Sequence, residues 1–201
     1  MYAIHTTPGF IIESRPKGEA GKLLYIFTRE LGLIMASAQG IRLEKSKLRY
    51  YAQEFSLGEF SFVRGKEFWR MTGAGHAQEL RITNVELQMK ALGMISRIAL
   101  ILRRLLHGEE AHTELFDHVQ QSIDFISGHV DQKSLTGDQE STLESLVMFR
   151  IVHLLGYVGN DKEIGYRIIS APLSIELIDE VARQRVALNK HINKALRESQ
   201  L

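Results

Sequence analysis

The 201-residue sequence contains no cysteine. Disulfides, thiol nucleophiles and every thiolate metal site are excluded in one step, and the chain suits a reducing compartment. Proline is scarce at three residues, and tryptophan occurs once. Nothing is apolar enough to span a bilayer, which takes roughly 20 mostly apolar residues. The most apolar stretch, Leu92–Leu106, is broken by Arg97, Arg103 and Arg104. The opening MYAIHTTPGF has neither a basic leader nor a long apolar segment, so no signal peptide is expected. These absences predict a cytoplasmic protein with no membrane partner.

Catalytic signatures are missing as well. There is no HExxH, no P-loop, no dinucleotide fingerprint and no nucleophile elbow. The paired acids Glu109 and Glu110 follow a helix end, where solvation is expected. Eight histidines are present, among them His107, His112, His118 and His129. None has a carboxylate at ligand spacing that would complete a metal site. No enzyme, no metal and no cofactor is predicted.

What is present is an ordinary globular composition, 44% hydrophobic and 24% charged, long enough to bury a core. Net charge is only +1, yet residues 1–80 carry 11 Lys and Arg against 8 Asp and Glu. That asymmetry points the first part of the chain toward a polyanion.

The stretch Leu23–Lys47 organises the reading. Leu23, Tyr25 and Phe27 alternate, Gly32 turns the chain, and Ile34, Ala36 and Ala38 alternate again before Gly40. Strands are predicted over 9–14, 22–27, 33–39, 55–63 and 67–72. A turn is expected at Arg15–Gly18, and a short helix or irregular crossing over 46–51. A bulge is expected at Gly58, where apolar parity shifts, and a tight hairpin at Arg64-Gly65. Five short strands cornered by glycine suit a small closed barrel, of which the oligonucleotide-binding OB-fold is one form; an SH3-like barrel or an open sheet with no ligand is the alternative. Periodicity alone does not choose between them.

After about residue 80 the spacing becomes helical. A capping box at Thr83–Glu86 opens a helix through Leu105, and a second helix follows Thr113 and ends near Gly128. A capping box at Ser141–Glu144 is read as opening a central helix over 143–155. A last helix is predicted from Pro172 to about Leu196. The expected organisation is α+β: a five-stranded barrel domain over 1–80, then a helical domain over 81–201.

The cations of the first part are Arg15, Lys17, Lys22, Arg29, Arg42, Lys45, Lys47 and Arg49, several in turns or at strand ends. Grouped long cations are what phosphate contacts require. The loop Arg42–Arg49 carries four cations against Glu44 alone. Interleaved rings at Tyr25, Phe27, Tyr50, Tyr51 and Trp69 have the chemistry to stack on bases, although core burial is the commoner use of each. Arg97, Arg103 and Arg104 rim a heavily apolar helix.

Taken in order, these residues resemble the RecO family of bacterial DNA repair proteins. The shared pattern is Ser14-Arg15-Pro16 with Glu19, Phe27-Thr28, Gly32, Ala38, Gly40, Arg42, Ser46 and Gln53-x-Phe55. Farther on it includes Glu114-Leu115-Phe116 and Leu154-Leu155-Gly156-Tyr157. The resemblance spans about residues 9–160. It implies an N-terminal OB-fold and a C-terminal helical domain in a nucleoid-associated protein. It implies binding of single- and double-stranded DNA, annealing of complementary strands, and recombinase loading with RecR on gaps covered by single-strand binding protein (SSB). It further implies that the acidic C-terminal tail of SSB meets the helical domain at Arg104, to which Arg103 is added as a neighbour. Two departures stand out. Gln39 precedes Gly40 where the family usually has lysine. About 15 residues separate Tyr157 from Pro172, where many relatives carry a cysteine zinc module. A non-enzymatic protein-interaction adaptor and an RNA-binding OB-fold protein are the alternatives.

Overall fold

The computed structural model describes residues 3–78, 85–131, 135–158 and 165–199. The chain divides into two compact units, Met1–Glu79 with Leu106–Phe116, and Leu80–Leu105 with Asp117–Leu201.

The first unit holds β1 (Ile4–Lys17), β2 (Gly21–Thr28), β3 (Gly32–Ala38), α1 (Leu48–Tyr51), β4 (Leu57–Val63) and β5 (Trp69–Gln78). The strands close into a barrel in the order β1-β2-β3-β5-β4. Neighbours are antiparallel except at the closing seam, where Ala36 and Ser37 of β3 run parallel to Trp69 and Arg70 of β5. Alternation sets the inside: Leu24 and Ile26 of β2 and Ile34, Ala36 and Ala38 of β3 point inward, and all are fully buried. Ile11, Phe60, Phe62, Trp69 and Met71 fill the rest of this core.

β1 is far longer than its predicted six residues because it serves two neighbours. Ile4–Phe10 pair with β4, and Gly9–Lys17 pair with β2. Between them Ile11 faces Ile26 while Glu13 faces Tyr25, so Ile12 is the extra residue of a bulge. A bulge flips side-chain parity and bends the strand. That explains why Phe10, Ile11 and Ile12 are all buried in succession.

Other boundaries shift for identifiable reasons. β4 begins at Leu57 rather than Phe55, because Phe55 sits at φ +65° and leaves the extended region. The irregularity expected at Gly58 is present, but the extra residue lies on β5: Leu57 faces Gln78 and Glu59 faces Gly75. The Arg64-Gly65 hairpin is instead a connection of five residues, 64–68. A side chain at Gly65 would meet the Phe68 carbonyl at 2.2 Å, so the glycine serves that close approach. The short helix alternative over 46–51 is realised as α1.

The segment 106–116 belongs to this unit. Leu33 N–H donates to the Gly108 carbonyl at 3.2 Å, and the Phe116 ring lies 5.4 Å from that of Phe27. Glu109, expected to be solvated, pairs with Arg64 and accepts the Trp69 indole N–H at 3.1 Å.

The second unit is helical. It contains α2 (Val85–Leu105), most of α3 (Thr113–Asp131), α4 (Gly137–Leu154), α5 (Tyr166–Ser170), α6 (Ile175–Ala182) and α7 (Arg185–Glu198). α4 is central as expected, with Leu143, Leu146, Val147, Phe149, Ile151 and Val152 buried. It starts six residues before the predicted point. The capping box is formed by Thr136 and Gln139, not by Ser141 and Glu144. Ser141 and Thr142 are already in the first turns, donating to the Gly137 and Asp138 carbonyls. The box at Thr83–Glu86 and the turn at Gly159–Asp161 fall wholly or partly outside the described residues. The predicted last helix is two, because α6 ends at Ala182 and α7 opens at Arg185.

One buried cation ties α4 to the chain before α6. Arg150, 4% exposed, donates through Nε to the Ile168 carbonyl at 2.6 Å and through Nη2 to the Ala171 carbonyl at 2.8 Å. Burial lowers its pKa to about 10. Among the described residues no helix is long and apolar enough to cross a membrane.

Candidate nucleic-acid interface

One end of the barrel gathers most of the cations singled out in the sequence. The β1–β2 hairpin brings Pro16 opposite Lys22 and Lys17 opposite Gly21. Lys22 in turn faces Ala38, the last residue of β3. The loop that follows β3 is tied back to this hairpin, since Arg42 N–H donates to the Ala20 carbonyl at 3.0 Å. Successive turn bonds, Leu43 N–H to Gly40 and Ser46 N–H to Leu43, keep the loop compact. Arg42, Lys45 and Lys47 are exposed on it, and Arg49 is exposed on α1, which follows. Lys17, Lys22 and these four cations therefore share one rim.

Arg15 is on β1 opposite Leu23, one strand residue in from that rim. Its guanidinium lies 5.3 Å from the centroid of the Tyr25 ring and 2.5 Å from a Glu13 carboxylate oxygen. The hydrogen bond to Glu13, then the charges of Glu13 and Tyr25, raise its pKa above the usual value. Arg29 does not join the others. It sits in the β2–β3 turn, docked on β1 by its N–H to the Pro8 carbonyl at 3.0 Å. The length of β2 separates Lys22 from Arg29 by about 23 Å.

The rings divide as packing requires. Phe27 and Trp69 are core, at 0% and 6% exposure, whereas Tyr50 is 72% exposed beside the cationic loop. Tyr51 is also exposed, and Tyr25 is half-buried on the outer face next to Met35.

The sequence reading passed over a second cationic connection. Arg64, Lys66, Phe68 and Arg70 line a cleft of 520 Å³ with Ser37 and Glu67. Lys17 Nζ lies 4.1 Å from the Phe68 ring centroid, so this connection adjoins the β1–β2 hairpin. Arg64 is engaged by Glu109 and stacks 4.9 Å from the Trp69 ring centroid. Lys66 and Arg70 are exposed. Three cations within residues 64–70 were the available signal; their place beside Lys17 depends on barrel closure.

In the helical unit, Arg104 is exposed near the end of α2 and donates through Nη2 to the Leu196 carbonyl. Arg103 is half-buried on the same turn. Arg97 pairs with Glu144 at 2.5 Å.

Residues 1–77 match the family described as recombination protein O N terminal. Over 132 residues the chain is 26% identical to the DNA repair protein RecO of Halalkalibacterium halodurans, covering 66% of this chain and 51% of that protein. It is 40% identical over 63 residues to the protein of the same name from Desulfitobacterium hafniense, covering 31% and 23% of the two chains. It is 24% identical over 184 residues to that of Gloeothece citriformis, covering 91% and 62%. The chain spans about half the length of the first of these relatives, and less than two thirds of each. With a closed five-stranded barrel followed by helices, and with residues 1–77 matching the recombination protein O N-terminal family, the chain is similar to the DNA repair proteins named RecO, and its barrel is an OB-fold.

Proposed function

We propose that this chain acts in recombinational DNA repair by binding single- and double-stranded DNA and annealing complementary strands, without enzymatic turnover. Lys17, Lys22, Arg42, Lys45, Lys47 and Arg49 hold the phosphate backbone along one barrel rim, with Arg15 beside them. Arg29 is left out because β2 holds it at the far end. The observation that carries this reading is the bond from Arg42 N–H to Ala20, which joins the cationic loop to the β1–β2 hairpin. Backbone contact leaves base edges free to pair, which annealing requires. Tyr50, exposed next to the loop, offers a stacking surface that tolerates any base.

On the same reading the protein works with a RecR-like partner to load recombinase on SSB-covered gaps, and the acidic SSB tail meets the helical unit at Arg103 and Arg104. The relatives' printed name, DNA repair protein RecO, supports the pathway.

Fluorescence anisotropy with labelled single-stranded DNA tests the rim. Each single-strand phosphate contact contributes about 0.7 to the slope of log affinity against log salt. Replacing Arg42, Lys45, Lys47 and Arg49 by Ala therefore lowers that slope by up to about 2.8 and weakens binding at moderate salt. A folded quadruple variant with unchanged affinity and slope refutes the assignment. Competition with RNA of the same sequence separates DNA from RNA as the ligand.

A further inference from the structure

We infer that the outer face of α7 is a second binding surface for a nucleic-acid phosphodiester backbone, separate in sequence and fold unit from the barrel rim. The inference rests on the proposal that the chain holds DNA. Residues 183–199 contain five cations, Arg183, Arg185, Lys190, Lys194 and Arg197, against the single acid Glu198. Residues 81–201 as a whole carry 14 Lys and Arg against 16 Asp and Glu. Without residues 106–116, which belong to the barrel unit, and without 183–199, this stretch carries 9 Lys and Arg against 12 Asp and Glu, so the helical unit's excess of positive charge lies in 183–199.

The helix fixes which way that charge points. Leu188, Ile192 and Ala195 are buried, and α7 spends its apolar face on them. The opposite face presents Asn189, Lys190, Asn193, Lys194 and Arg197, all exposed. Lys190, Lys194 and Arg197 follow each other at spacings of four and three residues, a strip about 10 Å long. Lys194 lies 3.8 Å from Glu198 and Arg185 2.6 Å from Asp138. Among the described residues neither Lys190 nor Arg197 is in an ion pair.

The chemistry favours a phosphodiester chain over an acidic peptide with an apolar end. The strip alternates cations with two amides, groups that both donate to phosphate oxygens. Its one large apolar side chain is Val186, which is 82% exposed and makes no pocket for a buried apolar anchor. Annealing needs two strands brought together, and a second backbone-holding surface on the helical unit supplies a place for the second strand.

The test uses the full chain, a labelled oligo-dT strand and a pair of complementary strands. The Lys190→Ala, Arg197→Ala double variant is expected to lower the salt slope of oligo-dT binding by up to about 1.4 and to slow annealing several-fold. The charge-keeping pair Lys190→Arg, Arg197→Lys is expected to retain both. The barrel-rim quadruple variant is measured in parallel. If its slope falls while the α7 double variant matches wild type in slope and annealing, the α7 inference is overturned and the rim proposal stands. If wild type binds no DNA, the rim proposal fails and the inference falls with it. Loss of function in the charge-keeping pair overturns the inference by showing a structural effect. An acidic Phe-ended peptide whose binding depends on Lys190 and Arg197, with oligo-dT binding and annealing unaffected, overturns it in favour of a peptide dock.

Discussion

His118 makes the stability of the helical unit sensitive to acid. It lies on α3, is 9% exposed, and its Nε2 has no hydrogen-bond partner among the described residues. Burial first, and then the charge of Arg150 on α4, lower its pKa to about 4; a hydrogen bond with the Val147 backbone opposes them. The folded value is thus below the unfolded value of about 6.5. Above pH 6.5 both states are neutral and the contribution is fully present. As pH falls from 6.5 toward 4, the unfolded chain takes up a proton that the folded chain refuses, and stability is lost. With these two values the loss is about 2 kcal/mol by pH 5 and about 3 kcal/mol by pH 4. Urea unfolding of wild type and His118→Leu at pH 7.5, 6 and 5 isolates the effect, because other titrating groups cancel in the difference. The variant is expected to gain on wild type by about 2 kcal/mol between pH 7.5 and 5. At pH 7.5 it stays near wild type, since a buried acceptor without a partner is removed. A difference that stays flat with pH would refute the reasoning.

Two further expectations concern the fold. Gly32 has φ +69°, and a Cβ there would meet the Glu110 carbonyl oxygen at 2.2 Å. Gly32→Ala is expected to cost more than about 2 kcal/mol in thermal or denaturant unfolding. Gly18→Ala, at φ +64° with nothing within 4 Å, is expected to cost only about 1 kcal/mol; equal costs would show that the approach of Glu110 does not matter. Thr136→Ala removes the capping box of α4 and is expected to destabilise by about 1 kcal/mol, whereas Ser141→Ala changes little. The reverse order would return the helix start to Ser141.

Much of the barrel was legible because its signals are local. Leu23, Tyr25 and Phe27, then Ile34, Ala36 and Ala38, announce two strands by alternation, and Gly32 announces the turn between them. The cationic loop was visible as composition. The start of α4 was misread because Ser141 and Glu144 satisfy the same residue pattern as Thr136 and Gln139. Only the backbone position of the first turn distinguishes the two pairs, since a serine inside a helix bonds to the carbonyl four residues back instead. The length of β1 escaped because a bulge at Ile12 breaks the period-2 pattern on which strand recognition depends.

The sequence by itself determined the order of the strands, the change from strands to helices and the stock of cations, since these follow from side-chain spacing along a short stretch; which face of β2 turns inward it did not, because Leu24 and Ile26, not Leu23, Tyr25 and Phe27, fill the barrel. Tertiary structure decided which distant segments meet. It closed the barrel through β3 and β5 and seated residues 106–116 on it. It brought Lys17 against Phe68 and tied Arg42 to Ala20, so that scattered cations share a rim. It also buried Arg150 on two carbonyls about 20 residues away. These outcomes depend on hydrogen bonds and contacts between residues far apart in the chain, and no local period encodes them.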